Sequence, residues 1–574
     1  MARSPLVSAA GGRLPNIWDI AALFCVFGGL IALGHSARGT LVPLDALEAT
    51  AINLDPWSLP DYALRTTLRM FAALAASLLF TFTYAPLAAK SRRAGLILIP
   101  MLDILQSVPI LGFLTFTIAF FMNLFPGRVM GLELAAIFAI FTSQAWNMAF
   151  SFYQSLTTLP GDLDEACRGF RLTAWQRFWR LEVPFAMPGL VWNTMLSMSA
   201  GWFFVVASEA ITLGDNNWKL PGIGSYVALA LERKDLGAVG WAILTMLVVI
   251  LAYDQLLFRP LVAWSAKFRF ETTASGPAVE DPWMLRMIRR THVLRVAGGA
   301  FGDALTWIGG LRIVLPSFGT RRAAAPSVVG DIVFGAIVLA AVGFAIWAIV
   351  TYVAAQLAWA DVGEALLLGL ITLLRVAVLM ALSSLLWVPI GVWLGLRPAW
   401  ARRVQPVAQF LAAFPANLLF PPFVIVIVAF HLNADIFLTP LMVLGTQWYI
   451  LFNVIAGAAA FPGDLQEAAK NFRIGGWLWW RRVMLPGILP YYVTGAITAS
   501  GGSWNAAIVS EVASWGDDKL AAHGLGAYIA QATDAGDFHK IVLGVAVMSL
   551  FVVLCNRFFW RPIYAYTSRR ATLS

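Results

Sequence analysis

Long stretches without a single Asp, Glu, Lys or Arg limit this chain more than any other feature. Ile20–Gly34, Leu134–Phe152, Gly237–Tyr253 and Ile332–Leu357 are four of them. About 20 apolar residues carry a helix across a hydrocarbon layer roughly 30 Å thick. Lipid offers no partner to a bare amide or carbonyl, so such runs satisfy their backbone within helices. A membrane barrel needs short alternating segments, and these runs do not alternate. Composition points the same way: 60% of residues are apolar and only 12% charged, where soluble domains carry about a quarter. The expected fold is an all-α integral membrane protein.

Keeping proline-containing runs whole gives spans near 17–34, 64–88, 95–122, 132–155, 185–208, 237–262, 331–356, 364–396, 404–430, 437–460, 487–510 and 540–562. That is about 12 transmembrane helices, six in each half. Lys and Arg in short connections favour the cytoplasmic side. Lys90-Ser-Arg92-Arg93, Arg168 to Arg180, Lys267 to Arg322, Arg397 to Arg403, Lys470 to Arg482 and Arg569-Arg570 all fall on one side of the count. Asp45, Glu48, Asp55, Asp61, Asp215, Asp517 and Asp518 fall on the other. A multi-pass protein with both termini cytoplasmic is expected. The first span has a second reading as a cleaved signal core, with Arg3 and Arg13 before it and Ser36-Ala37-Arg38 after it. Its length, at or beyond the usual 7 to 15 residues, and the matching first span of the second half favour a membrane helix.

The three cysteines, Cys25, Cys167 and Cys555, and the five scattered histidines form no disulfide framework or metal spacing. The net charge of +9 sits beside spans, where anionic headgroups attract it. Membrane lipid accounts for it without a nucleic-acid partner.

The chain is also an internal duplication. Glu165-Ala166-Cys167-Arg168-Gly169-Phe170-Arg171 with Pro184 matches Glu467-Ala468-Ala469-Lys470-Asn471-Phe472-Arg473 with Pro486 at an offset of 302. The same offset pairs Pro160-Gly161-Asp162 with Pro462-Gly463-Asp464, Trp202 with Trp504 and Ser208-Glu209 with Ser510-Glu511. It also pairs Gly222-Ile223-Gly224 with Gly524-Leu525-Gly526. Upstream the offset becomes 306, where Arg69 meets Arg375 and Pro109 meets Pro415. Both signature stretches face one side, so an even number of crossings separates them and the halves are two parallel six-helix repeats. The expected division is 1–262, a cytoplasmic basic linker over 263–330, and 331–574. Trp283 to Val296 in the linker mixes apolar residues with arginines, which suits an interfacial helix or a basic linker held by topology alone.

Each signature stretch has an Asp and a Glu three apart, Asp162 and Glu165, Asp464 and Glu467. That spacing predicts a capping-box variant at a helix start. Thr173 and Gln176 make a second box in the first copy, so two short helices with a turn are expected. Gly169 and Asn471 suit that turn, because they tolerate a left-handed backbone. Pro184 and Pro486 are expected to open the next span, where a missing amide does no harm.

With these residues in view, the chain resembles the permease subunits of ATP-binding-cassette importers, whose cytoplasmic loop reads Glu-Ala-Ala, then Gly, then Leu-Pro. Glu165, Ala166, Pro184, Glu467, Ala468, Ala469, Leu485 and Pro486 stand at those positions. Cys167 and Val183 depart from the pattern, and Arg171 and Arg473 replace the family glycine. The segment from Ser503 to Glu511 is most similar to the nitrate, sulfonate, taurine and bicarbonate group. The resemblance implies docking of two ATPase subunits on Asp162, Glu165, Ala166, Gly169, Arg171, Pro184, Asp464, Glu467, Ala468, Ala469, Asn471, Arg473 and Pro486. It further implies a periplasmic or lipoprotein solute-binding protein, a small anion as substrate and a bacterial inner membrane location. No Gly-x4-Gly-Lys-Ser/Thr occurs, so ATP and Mg would be bound by the partners and no cofactor is expected in this chain. A membrane enzyme or scaffold is a further reading, but no paired nucleophile and base or metal cluster appears in the sequence, so no enzyme is expected.

Polar residues in or at the ends of spans are candidates for the path, since a charge at mid-span costs about 2.5 to 3.5 kcal/mol on insertion scales. Asn147, Trp202, Glu209, Arg375, Asn453, Trp504, Asn505 and Glu511 qualify. Their plain alternatives are packing for the tryptophans and helix-end capping for the glutamates. Arg69 is expected to snorkel outward, while Arg375 meets an anion or an unseen carboxylate. The competing function is an ion-coupled secondary transporter, which also uses parallel repeats. It needs titratable residues at mid-span, and Asp103 and Asp254 are the main ones.

Overall fold

A computed structural model describes residues 52–107, 110–213, 216–268, 283–313, 328–459, 461, 463–515, 518–560 and 562–563, together with Asp19, Gly28, Gly34, Pro43 and Leu44. Apart from Asp19, Gly28 and Gly34, the expected span 17–34 lies outside these residues, as do the two termini. The chain divides into two compact units, one of 1–41, 151–193 and 252–319, the other of 42–150, 194–251 and 320–574.

Eight helices among the described residues are long and apolar enough to cross a membrane: Pro56–Lys90, Val129–Thr157, Ala174–Glu209, Leu236–Ser265, Gly335–Ala354, Trp359–Gly395, Gly476–Ser510 and Phe538–Trp560. Their outward faces stay apolar. Ile337, Leu339, Leu385 and Leu550 are exposed, as lipid-facing side chains must be.

Three expected spans are not straight rods. The run at 95–122 is two helices, Arg92–Ser107 and Ile110–Leu124. The run at 404–430 is a pair, Pro406–Ala413 and Ala416–Ala429, bent by 82°. Pro415 forces the break: the residue before a proline is pushed out of the helical region, and Phe414 is extended at φ −70°, ψ 129°. The run at 437–460 is a helix only over Trp448–Ala459, preceded by a 3-10 turn at Thr439–Met442 that starts on Pro440.

The duplication is visible in local geometry. The hairpin Ala210–Leu213 with Asn216–Lys219 recurs as Val512–Trp515 with Asp518–Ala521, in the same register. Wide π-helical turns recur at Phe178–Glu182 and Trp480–Met484. They explain Pro184 and Pro486. Neither opens a span; each is the second residue of the α segment that follows a π turn within the continuous helices Ala174–Glu209 and Gly476–Ser510. A proline inside a helix clashes with the carbonyl four residues back, and a π turn shifts that carbonyl away.

The second repeat packs around Trp504, Val493, Ile450, Leu525 and Met548, all buried. Trp504 stacks on Phe551 with ring centroids 6.4 Å apart. The linker carries two helices, Trp283–Arg290 and His292–Gly310.

Candidate functional site

The signature stretches fold as the helices Gly161–Gly169 and Gly463–Asn471. Both end in the same hydrogen-bonded turn. In the first copy the Leu172 amide donates to the Cys167 carbonyl at 3.1 Å and the Arg171 amide to that of Arg168 at 3.0 Å. In the second, Ile474 donates to Ala469 at 2.8 Å and Arg473 to Lys470 at 2.9 Å. This is the Schellman arrangement, which needs one left-handed residue. That residue is Arg171, φ 50°, and Arg473, φ 51°. The turn thus stays where the family has glycine, and the expectation of Gly169 and Asn471 is corrected: each is the last residue of its helix. Phe170 and Phe472, just before the turn, are 80% and 79% exposed. Glu165, Ala166 and Glu467 are exposed, while Ala469 is buried.

The first helix is not capped by Asp162. Pro160 holds the cap position and Asp162 lies in the first turn, where a carboxylate still favours the helix dipole. The side chain of Asp464 lies outside the described residues. The box of Thr173 and Gln176 forms in both directions. Beside it Arg177 bridges Asp164 at 2.5 Å and Glu182 at 3.1 Å. The Cys167 thiol is pushed up by its partial burial, against the lowering field of Arg177.

At the other end of these spans each repeat holds a guanidinium between two carboxylates. Arg69 grips Glu133 with Nε at 2.6 Å and Nη2 at 2.7 Å, and Glu209 with Nη1 at 2.6 Å. Thr66 Oγ1 donates to Glu209 at 2.7 Å and accepts from the Ile223 amide at 3.1 Å. The Gly224 amide donates to Glu209 at 2.6 Å. In the second repeat Arg375 donates to Asp435 at 2.8 Å and Glu511 at 3.2 Å. Thr372 and the Ala527 amide complete Glu511 at 2.9 Å and 3.1 Å.

The glycine pairs serve these clusters. A Cβ on Gly222 would stand 2.3 Å from the Glu209 carboxyl, and one on Gly524 2.3 Å from that of Glu511. Arg69 does not snorkel, being 4% exposed; two carboxylates satisfy it inside the protein. Arg375 meets two carboxylates, Asp435 and Glu511. The signal for this was the register itself, which repeats Thr66 as Thr372, Arg69 as Arg375 and Glu133 as Asp435.

The copies differ in their surroundings. The first triad is sealed, while the Asp435 side chain is 36% exposed. Its oxygens accept from the His523 amide at 2.6 Å and face His523 Nδ1 at 3.0 Å; Pro221 stands at the matching place in the first repeat. Partial burial works to raise the Asp435 pKa, yet the bonds and charge of His523 and the charge of Arg375 win and hold it below the ordinary aspartate value.

A cavity of about 80 Å³ lies among Ser199, Phe203, Phe204, Phe414, Thr446 and Tyr449, with further apolar neighbours. None of the expected path residues lines it. Asn147 Nδ2 donates to Ser197 at 3.1 Å and Asn453 Nδ2 to the Tyr449 carbonyl at 2.8 Å. Trp202 and Trp504 are buried packing residues. Asn505, one position before the cavity residue Ala506, accepts from the Ile110 amide at 2.6 Å and so caps the helix Ile110–Leu124 of the other repeat. Asp254 is paired with Arg259 at 3.0 Å. Among the described residues no group of His, Cys, Asp and Glu could hold a metal.

Comparison with known proteins fits this picture. The family model described as binding-protein-dependent transport system inner membrane component matches twice, over residues 82–258 and 387–569. The bicarbonate transport system permease protein CmpB of Synechococcus elongatus is 30% identical over 189 residues, 33% of this chain and 64% of the relative. The nitrate import permease protein NrtB of Leptolyngbya laminosa is 25% identical over 190 residues, 32% of this chain and 63% of the relative. The glycine betaine/carnitine transport permease protein GbuB of Listeria monocytogenes is 28% identical over 208 residues, 35% of this chain and 66% of the relative. The chain spans less than two thirds of the length of these relatives. The family is one of transport components rather than enzymes. Two matched halves at the positions of the sequence repeat make this chain a member of the binding-protein-dependent transport system inner membrane component family, carrying two copies of the family's domain in one polypeptide.

Proposed function

We propose that this chain carries both permease halves of an ATP-binding-cassette importer, fused into one polypeptide in a bacterial inner membrane with both termini cytoplasmic. The observation that carries the reading is the identical Schellman turn at Arg171 and Arg473, which offers two like handles, each tipped by an exposed Phe and Arg. Two ATPase subunits binding ATP and Mg grip these handles; when they close, the loops around Glu165 and Glu467 are drawn together and the repeats rock about the path between them. ATP drives this because the partners bind it with different affinity in the two states.

The substrate is a small anion of the nitrate, sulfonate, taurine or bicarbonate kind. The cavity wall carries hydroxyls from Ser199, Thr446 and Tyr449 and no charged side chain, so recognition of the anion falls to a periplasmic or lipid-anchored solute-binding protein. A neutral wall lets an anion pass without trapping it.

The test is affinity capture of the tagged chain from membranes, followed by assay of the co-purifying ATPase activity. Glu165→Lys combined with Glu467→Lys is expected to abolish capture of the ATPase while leaving the chain folded. Unchanged capture overturns the reading.

A further inference from the structure

The linker helix His292–Gly310 ends against the first signature loop. The last carbonyls of a helix have no partners within it, and here the loop supplies them. Trp175 Nε1 donates to the Ile308 carbonyl at 2.7 Å, and Gln176 Nε2 to that of Gly310 at 2.9 Å. The approach is close: a Cβ on Gly309 would stand 3.0 Å from the Trp179 Cβ, so any larger residue there would press Trp179 back by a few tenths of an ångström. Gln176 is 7% exposed.

The second loop has none of this. Trp477 and Leu478, at the places of Trp175 and Gln176, are 73% and 53% exposed. Gln466, Trp479 and Met484 replace Asp164, Arg177 and Glu182, so the ion network of the first loop is missing as well. Its second helix starts from Gly475 and Gly476 in place of the Thr173 box. What remains is an apolar face of Phe472, Trp477 and Leu478 beside exposed Arg473, Arg481 and Arg482.

We propose that the linker helix is a built-in brace that makes the two docking loops unequal. On the first loop it occupies the flank at Trp175–Trp179, so an ATPase subunit meets only the tip around Phe170 and Arg171. On the second loop the whole flank is open, and the ATPase subunit there covers Phe472, Trp477 and Leu478 with an apolar slot rimmed by carboxylates that face the arginines. The unequal contacts rest on the functional reading above; the brace itself does not.

Two measurements separate them. Hydrogen exchange on the purified full chain reads the brace: amides of 174–182 are expected to exchange about tenfold more slowly than those of 476–484, since bonded and packed amides open least. Gly309→Leu, or Gln176→Leu as a milder variant, is expected to bring 174–182 to the faster rate and leave 476–484 unchanged. Equal rates in the unaltered chain, or no response in either variant, overturn the brace. Photocrosslinking in membranes from p-benzoylphenylalanine reads the partner: position 477 is expected to capture an ATPase subunit, and position 175 the chain's own linker. Equal capture of the ATPase from both positions overturns the proposed inequality. Capture from neither overturns the functional reading, and the exchange rates still decide the brace.

Discussion

Arg171 and Arg473 share one left-handed backbone conformation, φ 50° and 51°, although 302 positions separate them. A non-glycine residue in this region costs about 1 to 2 kcal/mol, and glycine there costs only chain entropy. Arg171→Gly is therefore expected to leave thermal stability within about 1 kcal/mol of the parent, whereas Arg171→Val, branched at Cβ, loses about 1 to 3 kcal/mol. Thermal unfolding of the detergent-purified variants checks the order. If glycine also lowers the ATPase activity captured with the chain, the guanidinium itself makes a contact.

Removing the guanidinium from a sealed triad strands two carboxylates. Arg69→Met is expected to cost about 3 to 5 kcal/mol, the range for breaking a buried pair. Arg375→Met should cost less, because Asp435 keeps access to water. The yield of monodisperse folded chain on size exclusion, with melting temperatures, reads the difference. Equal losses at both positions would contradict the distinction between a closed and an open cluster.

Gly524→Ala places a methyl 2.3 Å from the Glu511 oxygens, in a carboxyl held by Arg375 and Thr372. Overpacking of this kind costs about 1 to 3 kcal/mol. Gly222→Ala meets the tighter first cluster and should be the worse of the two. A melting temperature unchanged in both variants would show that the carboxylates can step aside.

Asp435 gives a pH dependence of definite sign. Its value in the folded chain lies below the ordinary 3.8, so its contribution is present above that value and fades as pH falls through the lower, folded one. The difference in melting temperature between the parent and Asp435→Asn is expected to be present at about pH 5 and to shrink below about pH 4. A difference that grows on acidification would reverse the assignment.

Much of this architecture is legible in the chain itself. The offset of 302 announces both signature loops and the glycine pairs, and Thr173 with Gln176 reads as the capping box that forms, while the two short hairpins go unannounced in an all-α reading. What periodicity misses is continuity. An apolar run reads the same whether one helix or two short ones carry it, so the breaks at 95–122, 404–430 and 437–460 were invisible except at Pro415. The left-handed arginines were hidden for the opposite reason: local preference assigns that conformation to Gly169 or Asn471, and the hydrogen bonds of the helix end override it. The triads needed three distant residues to be seen together. Arg69 and Glu133 are 64 positions apart, and only the paired register of the two halves links them.

The helix Gly476–Ser510 runs without interruption from the second loop to the residue before Glu511, a length of about 52 Å at 1.5 Å per residue. Its far end is fastened through Glu511 to Arg375 and Thr372. A stiff beam anchored at one end turns a sideways push at the other into tilt. A displacement of a few ångströms at Trp477 therefore swings Gly502 and Ala506, which border the cavity close to the anchor, by only a small fraction of that distance. In the proposed transporter, large strokes at the second loop would thus become fine adjustments at the cavity wall.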